Sequence, residues 1–189
     1  MFLGFDISTS IIGWSILDSQ GELFRWGYVK MNKKSLEKNL FLKMDYALDL
    51  IFDSISDIKD QITVWGVEEA AKKFTAGKSS AGIIFKCASF NFGISYGIYN
   101  FLEKEPIYIP PLTTRKLVGL KIPRGLSPYD KKSTVVEWCI PRYPSIEWGR
   151  TRTNKYSPWC FDVADSLVLT EALRIKHGSN SPTTMGNNR

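Results

Sequence analysis

Short apolar runs bounded by turn residues alternate along this chain with longer segments of helical period. Three runs open it, at 1–7, 11–17 and 22–29, broken by Ser8-Thr9-Ser10 and by Asp18-Ser19-Gln20-Gly21. Such runs read as strands, and the second break is a hairpin turn, so an antiparallel meander is expected. From 35 to 59 the residues Leu36, Leu40, Met44, Ala47, Leu48, Ile51, Ile55 and Ile58 recur at intervals that put most of them on one helical face. Ser35 is placed to cap that helix. The run at 62–68 is nearly all apolar, as in a strand buried on both faces.

A polar Lys- and Gly-containing loop at 69–78 leads into a Gly-dotted helix at 79–103. A fifth strand at 106–110 closes on Pro110-Pro111. Helices are expected at 113–118, from 127 or 128 to 139, and at 160–176. Residues 140–159 have no clear period, and 178–189 read as a flexible polar tail. The order βββαβα, then β, then helices predicts an α/β fold. Its expected form is one domain over 1–177, with a central mixed five-stranded sheet flanked by helices. The 189 residues are enough for one well-filled core.

Composition narrows the chemistry. Cys87, Cys139 and Cys160 are widely spaced with no CxxC, so a disulfide framework or zinc site is not expected, and a reducing compartment fits. His177 is the only histidine, which argues against a His-based metal site or a Ser-His-Asp triad. The chain enters its first strand without a leader-like segment, and no apolar run reaches the ~20 residues that span a membrane. A soluble, intracellular protein is expected. The formal charge of +6 favours an acidic partner such as nucleic acid. The six Trp are read mainly as core.

Four carboxylates stand inside apolar segments: Asp6 in the first strand, Glu68 at the end of the fourth, and Asp162 and Asp165 where the last helix opens. Carboxylates there are costly unless something positive meets them. Each has a bland reading. Asp6 could close the Ser-Thr-Ser turn, Glu68 could pair with Lys72 or Lys73, and Asp162 could cap its helix. Against these, Asp162 and Asp165 share one face of a helix that is apolar nearly all round. Brought together, the four could hold two Mg²⁺ about 3.5–4 Å apart, one activating a water and one stabilising a leaving 3′ oxygen. Alternation along the strand favours Glu68 over Glu69 as the inward residue.

The ordered motifs Gly4-Phe5-Asp6-Ile7-Ser8-Thr9-Ser10-Ile11-Ile12-Gly13-Trp14, Val67-Glu68-Glu69 and Asp162-Val163-Ala164-Asp165-Ser166-Leu167 resemble those of the RuvC-like Holliday junction resolvases of the ribonuclease H superfamily. The resemblance covers most of 1–176. It implies a homodimer that binds four-way DNA and nicks two strands symmetrically with Mg²⁺ or Mn²⁺, without a nucleotide cofactor. It implies Asp6, Glu68, Asp162 and Asp165 as metal ligands. It also implies a basic residue near the scissile phosphate, here Lys131 or Lys132, with Lys132 the one assigned to catalysis. The segment 140–159 is longer than in the bacterial resolvases, which leaves the substrate open.

Two basic segments would face DNA. Lys72, Lys73, Phe74 and Lys78 follow the second motif; their Gly-Lys-Ser is not a P-loop, because residue 72 is Lys where Gly is required. Phosphate contact by these lysines is expected, with Phe74 either a wedge at the branch point or a core residue. Arg150 and Arg152, with Arg142 and Lys155, are interleaved with Tyr143, Trp148, Tyr156 and Trp159, which could stack on DNA or anchor a long loop. Arg115, Lys116 and Lys131 add further cations.

The expected function is junction resolution by metal-dependent hydrolysis. Rivals are a related nuclease for flaps, forks or RNA–DNA hybrids, and a catalytically inactive junction-binding module. An actin-like or sugar-kinase fold shares the Asp strand but needs two domains. The small residues of 79–103 suggest part of a dimer interface.

Overall fold

The computed structural model describes residues 1–31, 39–69 and 81–178. Strands β1 (Phe2–Ile7), β2 (Ile11–Leu17), β3 (Leu23–Lys30), β4 (Val64–Glu68) and β5 (Ile107–Ile109) form one sheet in the order β3-β2-β1-β4-β5. β1 pairs antiparallel with β2 and parallel with β4, and β4 pairs parallel with β5, so the sheet is mixed. The helices are α1 (Leu40–Ile55), α2 (Ala81–Leu102), α3 (Pro111–Leu117), α4 (Pro128–Cys139) and α5 (Pro158–His177). A 3-10 turn, Ser56–Gln61, joins α1 to β4.

Strand alternation sorts the sheet into two unlike faces. Leu3, Phe5, Ile12, Trp14, Ile16, Trp65 and Val67 form one core with Ala47 and Ile51 of α1 and Phe90, Ile94 and Ile98 of α2. The opposite face is unusually small. Gly4, Gly13, Ser15 and Gly66 point there, and α5 lies on them. A Cβ at Gly4 would overlap Thr170, one at Gly13 the backbone of Asp162 and Val163, and one at Gly66 the Ile107 carbonyl, while pressing on Leu173. Ser15 and Thr170 hydroxyls hydrogen-bond at 2.7 Å in the same layer. The small residues let α5 sit directly on the central strands, where larger ones would hold it a side chain away. α3 and α4 pack beside it.

Several boundaries differ from the sequence reading. α1 starts at Leu40, because the Asn39 side chain accepts from the Phe41 and Leu42 N–H groups. The expected cap Ser35 lies outside the described residues. α5 starts at Pro158, with Ser157 as N-cap, since Pro fits the first helical position, where no N–H is needed. Asp162 is therefore not a cap, and neither Asp162 nor Asp165 lies in the first turn. The small residues of α2 do not form a free face: Gly93 packs on Met44 and Gly97 on Leu48 of α1. The tail beyond Gly178 is outside the described residues. Among the described residues, no helix is long and apolar enough to cross a membrane.

Candidate functional site

The small face of the sheet brings the carboxylates together. Asp6 follows Gly4 by two residues and Glu68 follows Gly66 by two, so both project toward α5. β1 and β4 run parallel with Phe5 beside Val67, which sets Asp6 and Glu68 side by side at the ends of adjacent strands. Asp6 pairs with Gly13 across the antiparallel ladder, and Gly13 is where the α5 backbone at Asp162 touches the sheet. One helical turn on, Asp165 completes the group.

The bland roles are otherwise occupied or absent. The turn after β1 is closed by Ser8, whose hydroxyl donates to the Ile11 carbonyl and accepts from the Ser10 and Ile11 N–H groups. Lys43 of α1 anchors the same turn by donating to the Thr9 carbonyl at 3.0 Å. The end of β4 is held from the other side, where the Glu69 N–H donates to the Ile109 carbonyl. Lys72 and Lys73, the possible partners of Glu68, lie outside the described residues, as do Phe74 and Lys78.

The electrostatics show a shared field. Burial pushes the Asp6 carboxyl well above the usual range, and the charges of Asp165, Glu68 and Asp162 push it further, with Lys132 opposing. Burial and Asp165 raise Glu68 to about 8, against Arg115 and Lys132. Asp162 rises to about 6, chiefly by burial and also by Asp165, with Lys132 opposing. Burial raises Asp165 as well, against Arg115 and Lys132. All four are closely ringed by protein yet keep a partial opening to solvent.

Arg115 of α3 meets the Asp165 Oδ1 at 3.4 Å, an ion pair inside the carboxylate cluster. Arg115 is expected among the DNA-facing cations, but the fold puts it in the carboxylate cluster. No sequence signal marked it, because the α3–α5 contact joins residues far apart in the chain. Lys132 of α4 lies over the Phe161 ring at 5.5 Å and acts on all four carboxylates. Lys131 and Lys116 are exposed.

The aromatics of 140–159 turn inward. Tyr143, Tyr156 and Trp159 are buried, and Trp159 stacks on Tyr28 at 4.8 Å and on Trp26 at 5.5 Å. Of the two readings open for these residues, anchoring of the segment is the one their burial supports. Its basic residues stay outside on a small hairpin, bridged between Arg150 and Tyr156. Arg150 covers the Tyr156 ring at 3.6 Å, and Arg152 is exposed. Phe161 touches Tyr129, Tyr156 and Lys132, so this hairpin adjoins the carboxylate end of α5.

The donor set is all oxygen and carries excess negative charge, which suits a hard divalent cation such as Mg²⁺ or Mn²⁺. Among the described residues no three carboxylate, thiol or imidazole side chains are drawn close enough to close round an ion. Mutual repulsion and the Arg115 pair oppose closer approach. The residues fit such a cation in kind and grouping, and coordination would require a contraction.

The mixed sheet with helices on both faces defines a ribonuclease H-like α/β fold. Solved structures share it, two RuvC structures among them. One, described as T. thermophilus RuvC in complex with Holliday junction substrate, superposes with a TM-score of 0.65 at 10% identity, covering 95% of this chain and 96% of that one. The other, a Thermus thermophilus RuvC structure, gives 0.53 at 10% identity, covering 88% and 91%. The fold is RuvC-like. No sequence-family model matches the chain, and no curated protein matches it in sequence.

Proposed function

We propose that this protein is a divalent-cation-dependent endonuclease acting on branched DNA, and that four-way junctions are its substrate. The observation that carries the reading is the convergence of Asp6, Glu68, Asp162 and Asp165, from three separate elements, into one repulsive cluster. A binding module for phosphate has no use for such a cluster, since negative charge facing phosphate opposes binding. The fold shared with a junction-bound RuvC supports four-way junctions over flaps, forks or hybrids.

In this reading Asp6, Glu68, Asp162 and Asp165 hold Mg²⁺ or Mn²⁺. Bound there, the cations would supply a water activated for attack on phosphorus and charge stabilisation for the leaving oxygen. Lys132 reaches over Phe161 to neutralise charge beside the scissile phosphate. Arg115 balances Asp165 until the cations take over that role. The exposed Lys116, Lys131, Arg150 and Arg152 contact phosphates, as do Lys72, Lys73 and Lys78 of the segment outside the described residues.

A homodimer is part of the proposal, because two sites are needed for paired nicks. Its interface is assigned to the outer side of α2, where Phe85, Phe92 and Tyr96 share one helical face and are 75%, 68% and 58% exposed.

The test is cleavage of labelled four-way junction, flap, fork and linear duplex by the protein and its Asp6→Asn variant, with and without Mg²⁺. Metal-dependent paired nicks in the junction, lost in the variant while binding persists, are expected. Preferential cutting of flaps or forks would reassign the substrate. Tight junction binding without cleavage in Mg²⁺ or Mn²⁺ would overturn the enzyme reading.

A further inference from the structure

A cavity of about 360 Å³ opens beside the carboxylate cluster. Its lining is mostly apolar, with Leu112, Leu120 and Ile122 beside Gly119, and carries the cations Arg115, Lys116 and Lys121. Arg115 belongs both to the cavity and to the carboxylates, through its contact with Asp165.

The cavity is built into the backbone. α3 ends in a left-handed glycine, Gly119, with φ +72°. The Gly119 N–H donates to the Lys116 carbonyl and the Leu120 N–H to the Arg115 carbonyl, which together form a Schellman turn. That turn folds the chain sharply back after α3 and brings the aliphatic side chains of Leu120 and Ile122 into one wall with Leu112. The pocket is thus preformed, and its volume lies at the small end of ligand sites, roughly 300–1,000 Å³.

The geometry points to a nucleotide subsite: this cavity takes one unstacked nucleotide of the cleaved strand, its base against Leu112, Leu120 and Ile122 and its phosphate on Lys116 and Lys121. A purely phosphate-binding surface would not need the aliphatic side chains, and a purely apolar ligand would leave Lys116 and Lys121 unused. The cavity alone supplies the ligand class. That the nucleotide belongs to the strand being cut rests on the branched-DNA nuclease reading. Through Arg115, occupancy of this subsite would be felt at Asp165, which links base recognition to the reacting centre.

The full chain is titrated, by nuclear magnetic resonance, with thymidine 5′-monophosphate, with thymidine and with inorganic phosphate. The mononucleotide is expected to perturb residues 112–122 and to bind about tenfold more tightly than either fragment, because only it uses both the aliphatic and the cationic side chains of the cavity. Leu112→Ser should weaken it severalfold; Leu112 is 79% exposed, so folding is preserved. Equal binding of phosphate and mononucleotide, or no perturbation at 112–122, overturns the subsite. In a second arm, 2-aminopurine is placed at each position flanking the cut in a four-way junction. A fluorescence rise at one position, lost in Leu112→Ser, supports the subsite; no rise at any position in a junction that is cut overturns its role in strand recognition. Mononucleotide binding with no metal-dependent cleavage of any branched DNA would overturn the nuclease reading and leave the nucleotide site standing.

Discussion

Gly13 lies directly across the ladder from Asp6, and its missing side chain is what allows the Asp162 backbone to touch the sheet there. Two of the four carboxylates are thus brought together by a hydrogen atom on a third residue. Backbone atoms cannot swing aside as a flexible side chain can. Gly13→Ala should therefore destabilise the protein by about 2–4 kcal/mol by overpacking. It should also cut metal-dependent cleavage by more than ~10-fold, since displacement of Asp162 spoils the arrangement. Urea unfolding and cleavage rates measured together check this; unchanged stability would sink the packing argument.

The carboxylate cluster should make stability fall as pH rises. Glu68 titrates near 8 in the folded protein, above its ordinary 4.5, and Asp162 near 6, above its ordinary 3.8. Their folded-state pKa values are raised, so between the two values the native state holds more protons than the unfolded chain. The associated stability is full below about pH 4 and is lost as pH climbs through 6 and 8. In chelator, Tm should drop by roughly 5–10 °C between pH 5 and pH 8.5 on this account. Mg²⁺ or Mn²⁺ should recover much of the loss at pH 8.5. A flat Tm profile in chelator would remove the case for a repulsive cluster.

Asp6→Asn removes an ionisable carboxyl from that cluster without changing its shape. The variant should be inactive yet have a Tm at pH 8 several degrees above the parent in chelator. It should also lose most of the cation-induced rise in Tm. A variant that is less stable at pH 8 than the parent would mean that Asp6 makes a structural contact.

Lys132 and Lys131 are neighbours in sequence with different surroundings. Only Lys132 acts on the carboxylates and lies over Phe161. Lys132→Ala should slow cleavage at least ~10-fold with junction affinity nearly unchanged. Lys131→Ala should leave the rate within a factor of about two to three and weaken binding slightly, as loss of one phosphate contact does. Equal effects of the two substitutions would contradict the assignment.

On α2, the glycines and the aromatics do different work. Gly97→Ala should destabilise the fold through Leu48 without changing the oligomeric state. Phe92→Glu should leave the fold intact, because Phe92 is 68% exposed, and convert a dimer to monomer in sedimentation experiments. A protein that sediments as a monomer at high concentration before any substitution would end the dimer proposal.

The alternation of apolar runs and helical periods determined most of this fold. The meander, the buried fourth strand, the long helices and the mixed sheet were all legible, because strand and helix periods follow from backbone geometry. So was the clustering of Asp6, Glu68, Asp162 and Asp165, since carboxylates within apolar segments need a shared reason. Helix starts were less legible. Pro158 and Asn39 act through cap geometry, which apolar periodicity does not report. Only the tertiary structure decided that Arg115, fifty positions before Asp165, is its counter-ion, because that contact depends on how α3 packs on α5. It also decided which way α2 faces. Small residues permit close packing against any partner, and it was the meeting of Gly93 and Gly97 with α1 that turned the aromatics outward.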